Sequence, residues 1–113
     1  MTTPRPGTRV RGSRTGRPVM ALLDLLGRRW ALRVLWELRE GALSFRALRD
    51  ACDGASPSVL MPRLDELREA GIVEDGEAGY ALTKEGHALL ASLAPLGDWA
   101  RRWGEREARK RKA

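Results

Sequence analysis

A mainly α-helical fold closed by one small β-hairpin is the class this sequence predicts, on three observations. Apolar residues recur at helical spacing in several short segments separated by glycines. Ser56-Pro57 is the strongest local helix-start signal in the chain. Two short runs then flank Asp75-Gly76-Glu77-Ala78-Gly79, which reads as a hairpin. From residue 45 to residue 83 the order is helix, turn, helix and two-stranded wing. That order predicts a winged helix-turn-helix, with a further helix at either end.

The elements follow in turn. Val19, Leu22, Leu23 and Leu26 fall on one face of a short helix that Gly27 ends. Residues 30–39 place Ala31, Val34, Leu35 and Leu38 at the same spacing, with Gly41 as the stop. Ser44 is placed to cap the next helix, in which Phe45 and Leu48 face inward and which Gly54 breaks. In the fourth helix Ser56 is expected to accept from the first helical N–H groups, and Pro57 fits the first turn. Leu60, Leu64 and Leu67 form its buried stripe, and Gly71 ends it. Ile72-Val73-Glu74 and Tyr80-Ala81-Leu82 supply the hairpin strands around an Asp-Gly turn. Thr83 caps the last helix, where Leu89, Leu93, Leu96, Ala100 and Trp103 form a long apolar stripe.

With 113 residues, 42% hydrophobic and 32% charged, the chain reads as one small domain. Its net charge of +6 is unevenly placed. Residues 1–17 carry five Arg and no acid, and are expected to form a disordered basic arm. Residues 18–104, the expected domain with its dimerisation helix, carry 11 basic and 13 acidic groups. Residues 105–113 carry five basic and two acidic groups and form a second basic tail. Basic tails flanking such a motif suit phosphate contacts on double-stranded DNA. No apolar run approaches membrane-spanning length, so a cytoplasmic, nucleoid-associated location is expected. One Cys and one His exclude an internal disulfide and argue against a metal site. Neither a phosphate-cradling loop nor a nucleophile motif is present, and no enzyme activity or cofactor is expected.

In a helix-turn-helix the second helix buries one side and offers the other to base edges. Stepping 100° per residue from Leu60 puts Ser58, Pro62, Asp65 and Glu69 opposite the buried stripe. Val59, Arg63 and Glu66 lie on one flank, Met61 and Arg68 on the other. The half from Ser56 to Arg63 holds no acid and carries the positive end of the helix dipole. It is therefore expected to enter the groove. Arg63 is the leading base-edge candidate, Ser56 and Ser58 suit hydrogen bonds, and Val59 or Met61 suit a thymine methyl. Arg46 and Arg49 on the preceding helix are placed as phosphate clamps. Pro62 removes a helical hydrogen bond and predicts a tolerated kink.

These motifs carry a resemblance. Pro18-Val19, Gly27 with Trp30, Phe45 with Leu48, Ser56-Pro57, and Leu60, Arg63, Leu64 and Leu67 stand in its order. Gly71-Ile72-Val73, Tyr80, Leu82-Thr83, Gly86, Leu89 and Trp99 continue it. Together they resemble the HxlR-type winged helix-turn-helix regulators of bacteria, over about 85 of the 113 residues. The resemblance implies a homodimeric transcriptional regulator, more often a repressor, on a palindromic operator. Its recognition helices would sit in major grooves about 34–36 Å apart. It also implies a dimer interface on the first and last helices: Val19, Leu22, Leu23, Leu89, Leu93, Leu96, Trp99 and Trp103.

Three features depart from that pattern. Arg17 stands where members often carry a sensing cysteine, and Cys52 reads as a buried structural thiol. The wing is short and acidic, with Asp75 and Glu77 and no base. Met61-Pro62 replaces residues that are commonly polar. The four Trp read first as core, although Trp99 and Trp103 are spaced to line a small-molecule effector pocket at a dimer interface. Two alternatives stay open: a winged helix that serves protein contacts, and a nucleoid-type binder without sequence preference.

Overall fold

The computed structural model describes residues 3–7 and 16–112. It contains α1 (Pro18–Leu26), α2 (Ala31–Glu37), α3 (Phe45–Ala51), α4 (Pro57–Glu69), β1 (Val73–Gly76), β2 (Gly79–Leu82) and α5 (Lys84–Lys112). The predicted order is present element for element. Val34, Leu35, Leu38, Leu48, Leu60, Leu64 and Leu67 are fully buried and form the centre of the core, with Leu25, Ile72, Val73 and Leu82 around them. Each such side chain contributes about 1.5–3 kcal/mol by leaving water. That burial holds α2, α3 and α4 together as a helix-turn-helix.

Chain reversals are fixed by caps that the sequence spells out. Ser44 Oγ accepts from Ala47 N–H at 3.1 Å at the start of α3. The end of α4 is a Schellman turn: Ile72 N–H donates to Leu67 C=O at 2.9 Å and Gly71 N–H to Arg68 C=O at 3.0 Å. Gly71 takes the left-handed φ of 77° that this turn needs. Thr83 Oγ1 accepts from Gly86 N–H at 3.0 Å and donates to Gly71 C=O, so one hydroxyl ties the end of α4 to the start of α5. Gly86 lies so close to the Ile72 carbonyl that an added Cβ would collide with it.

Several expectations are corrected. Ser56 is the N-cap residue of α4, but its side chain makes no capping bond; its Oγ pairs with Ser58 Oγ at 3.1 Å. Its backbone C=O accepts from Val59 and Leu60 instead. Asp75-Gly76 belongs to β1, and the reversal is made by Glu77-Ala78, with Gly76 facing Gly79 in the register. The hairpin also gains a third strand-like partner, because Leu43 and Tyr80 exchange backbone hydrogen bonds at 2.9 and 2.8 Å. α2 ends at Glu37, with Leu38 as its C-cap, short of Gly41. α4 runs as one helix through Pro62, and α5 likewise contains Pro95. Residues 105–112 continue α5 rather than leaving it as a tail. Of the four Trp, only Trp30 is largely covered; Trp36, Trp99 and Trp103 are about half exposed.

Of the expected arm, residues 1, 2 and 8–15 lie outside the described residues. Its described part lies against the domain. Pro4 is buried, Arg5 contacts Glu69 at 3.3 Å, and Gly7 N–H donates to Gly16 C=O at 2.8 Å.

Candidate nucleic-acid interface

The exposed first half of α4 is the most distinctive polar surface of the motif. Ser56, Pro57, Ser58, Met61 and Pro62 all face solvent, Val59 is half-buried, and the first turn holds no acid. Because Ser56 Oγ is spent on Ser58, the early backbone donors of α4 are not capped by it. Such donors, with the dipole behind them, favour an anion.

The preceding turn is held rigidly under this helix. Arg49 Nε donates to Ala55 C=O at 3.0 Å, so this predicted phosphate clamp also ties the α3–α4 turn. Arg33 on α2 donates to Ala51 C=O at 2.7 Å and lies 3.6 Å from Asp53, fastening the end of α3 from below. Asp53 and Gly54 both adopt left-handed φ, which turns the chain sharply into α4. Arg46 stays exposed on α3. Ser56, Ser58, Met61 and Pro62 are thus brought to one surface, with Arg46 on the neighbouring helix.

Arg63 is placed differently from its expected role. Its side chain is 19% exposed, and its Nε lies 3.0 Å from Glu66 Oε1, an ion pair without hydrogen-bond geometry. Glu66 is itself 8% exposed and receives Arg28 on its other oxygen. The flank of α4 that carries Val59, Arg63 and Glu66 is therefore turned toward α1 and the α1–α2 turn. An i, i+3 Arg–Glu pair was readable in the sequence. Its third member, 38 residues away, was not.

At the other end of α4 the acids are partly matched. Asp65 lies 3.9 Å from Arg68, and Glu69 meets Arg5. Hydrogen bonds from Thr3 and then Arg5 hold the Glu69 carboxyl below the usual carboxylate range. The hairpin tip exposes Glu74, Asp75 and Glu77 and brings no cation of its own.

The residues expected at a dimer interface split into two groups. Leu22, Leu89 and Leu93 pack partly against the core. Val19, Leu23, Leu96, Trp99 and Trp103 are exposed, and the Trp99 and Trp103 rings stack with centroids 5.7 Å apart. Sequence reasoning missed a further apolar pair, Leu32 and Trp36 on α2, where the Arg39 guanidinium lies 3.9 Å over the Trp36 ring. Cys52 is fully buried, as expected of a structural thiol. Among the described residues no His, Cys, Asp and Glu cluster could hold a metal, and no helix is long and apolar enough to cross a membrane.

Known proteins agree with this architecture. The HxlR-like helix-turn-helix family matches residues 25–108. An uncharacterised helix-turn-helix transcriptional regulator of Methanocaldococcus jannaschii is 29% identical over 90 residues, 76% of this chain and 85% of that protein. The quinone-bound structure of YodB from Bacillus subtilis superposes with a TM-score of 0.69 at 31% identity, covering 74% of this chain and 96% of that one. A possible HxlR family transcriptional factor from Thermoplasma volcanium gives 0.65 at 28% identity, covering 74% and 82%. These relatives are regulators and not enzymes, and the winged hairpin stands where the fold requires it. The chain belongs to the HxlR-like helix-turn-helix family of DNA-binding transcriptional regulators.

Proposed function

We propose that the protein is a homodimeric repressor that reads a palindromic operator with the first half of α4. The observation that carries this is the exposed, acid-free surface of Ser56, Ser58, Met61 and Pro62, set on a turn that Arg33 and Arg49 hold rigid. In this reading Ser56 and Ser58 take phosphate or base-edge bonds, Met61 touches a thymine methyl, and Arg46 and Arg49 clamp the flanking phosphates. Val59 supports the surface from its half-buried flank. Arg63, ion-paired with Glu66, orients α4 rather than reading bases. The two protomers join through α1 and α5, and bound dimers occlude a promoter in the cytoplasm. The arginines of residues 1–17 and the basic end of α5 add sequence-independent affinity.

A small-molecule effector belongs to the same proposal. YodB has been captured with a quinone. Here Arg17 stands where the family often has a cysteine, so an effector of this chain would bind without a covalent bond at that position. The stacked Trp99 and Trp103 offer it an aromatic surface.

Selection of operators from random duplexes tests the proposal directly. The expected product is two inverted half-sites at one fixed separation. A second reading, a winged helix devoted to protein contacts, is favoured by one observation: the acidic wing of Glu74, Asp75 and Glu77. Salt titration on unrelated duplexes separates the two. Affinity for DNA should fall steeply with salt, and removal of residues 1–17 should flatten the slope. Binding to no duplex at low salt would overturn the proposal in favour of the protein-contact reading.

A further inference from the structure

Four charged side chains meet inside the molecule where α1, the α1–α2 turn and α4 converge. Glu66 on α4 receives the Arg28 guanidinium on Oε2, and Arg63 Nε lies 3.0 Å from its Oε1. Asp24, four residues before Arg28 on α1, lies 3.8 Å from Arg28 Nη2. Among the described residues, two cations and two anions face one another in the cluster. Asp24, Arg28 and Glu66 have side chains no more than 10% exposed.

Ion pairs taken out of water return little net stability, because desolvation offsets the attraction. Their best-attested use is to fix one arrangement among several that an apolar contact would tolerate. The surroundings here fit that use. Arg28 sits in a tight turn closed by Ala31 N–H donating to Arg28 C=O at 3.1 Å. The turn is completed by Trp30 in a left-handed conformation, φ 75°, which a tryptophan adopts only when its surroundings impose it. Trp30 is packed against the core, so the turn is held in place and aims Arg28 at α4.

Beside the cluster runs the seam between α1 and the end of α4. A cleft of about 470 Å³ opens there between Ala21, Leu22 and Leu25 on α1 and Ala70 and Ile72 after α4, and Pro4 and Arg5 of the N-terminal segment line it too. Beyond it, Leu25 and Leu26 of α1 share one apolar core with Leu64 and Leu67 of α4. To that non-directional packing the buried charge contacts add a directional constraint on where α4 stands relative to α1. α1 carries Val19 and Leu23 of the proposed dimer face, and α4 carries the proposed reading surface.

We infer that Asp24, Arg28, Glu66 and Arg63 form a positioning device that fixes the recognition helix relative to the dimerisation helix, and through it the separation of the two half-sites. The inference rests on the dimeric reading proposed above. Successive base pairs are about 3.4 Å apart. One base pair also turns the second half-site by roughly 35° around the duplex, so a combined shift and tilt of the two readers is what changes the preferred separation. Glu66 is the centre of the device, since its carboxylate is the one that both arginines face.

The test is operator selection with the full-length wild type, Glu66→Gln, Arg28→Lys and Arg63→Gln, read for half-site separation, with thermal unfolding alongside. The wild type should select one separation. Glu66→Gln, which keeps shape and loses charge, should accept separations one base pair longer or shorter, with discrimination among them reduced about tenfold. Arg28→Lys should broaden the separation in the same sense. Arg63→Gln should leave base preference within each half-site unchanged while relaxing separation. Variants that bind more weakly but keep the single wild-type separation would overturn the inference and leave the dimeric reading standing. Should Glu66→Gln fail to fold, Arg28→Lys decides alone: an unchanged separation overturns the inference. A wild type that selects no paired half-sites would overturn the dimeric reading, and this inference with it.

Discussion

Cys52 shows how burial converts one side chain into a pH dependence of the whole fold. It is fully buried beneath the helix-turn-helix, and burial pushes its thiol pKa up, with Arg33 partly opposing the shift. Tyr80 is shifted the same way, first by burial and then by Asp75. A raised folded pKa means that the folded state holds its proton more tightly than the unfolded chain does. The stability involved is complete below the unfolded thiol value of about 8.5 and is lost as pH rises through the folded value. The urea midpoint should therefore fall progressively from about pH 8.5 upward, first with Cys52 and then with Tyr80. Cys52→Ala should lower the midpoint at neutral pH by leaving a small void, yet flatten the first part of the alkaline decline. A wild-type midpoint that stays level to pH 10 would contradict the assignment. The caps at Ser44 and Thr83 were legible because each serves its own helix. The Ser56 side chain was misread because a second hydroxyl two residues on competes for it, and spacing alone cannot decide that contest.

Among the elements, α4 carries the sharpest tension between stability and use. Pro62 leaves its helix without the bond to the Ser58 carbonyl, where a mid-helix proline costs about 3 kcal/mol relative to alanine. It is exposed on the surface proposed to read DNA, so core packing does not explain it. Pro62→Ala should raise the thermal midpoint, by an amount corresponding to about 1–3 kcal/mol after partial relaxation. The same change should weaken operator binding if the rigid ring shapes the contact surface. A variant no more stable than wild type would mean that the surrounding structure already absorbs the missing bond. The helices were legible because their apolar periodicity and glycine stops are local. The Leu43–Tyr80 bridge, the inward turn of Arg63 and the four-charge cluster were not, because each joins segments about 35 or more residues apart. Which flank of α4 faces inward depends on where α1 and its turn dock, and Leu60-centred geometry treats both flanks alike.

At the scale of the whole molecule, α5 runs nearly its full length. Its 29 residues span about 43 Å at 1.5 Å each, close to the longest dimension of the molecule, 47 Å. The radius of gyration of 15.8 Å exceeds the roughly 13 Å expected of a compact chain of this size. Leu89 and Leu93 pack on the core, but Leu96, Trp99 and Trp103 extend the same apolar stripe into solvent. A helix that presents two stacked tryptophans beyond its own core needs a partner surface. Val19 and Leu23 on α1 offer more of the same chemistry. A second copy related by a twofold axis would bury each of these side chains twice, once on each protomer. Trp and Tyr also dominate interface energies well beyond their number. Replacing Trp99 and Trp103 together by Glu should therefore reduce the sedimenting species from two chains to one. In the proposed dimer the introduced charges would be buried near their own copies, while the helix-turn-helix core is untouched and its unfolding should stay cooperative. Operator affinity should fall with dimerisation, since two linked half-site contacts become two independent ones. A variant that remains dimeric would place the interface elsewhere, with the exposed Leu32–Trp36 pair on α2 as the next surface to substitute.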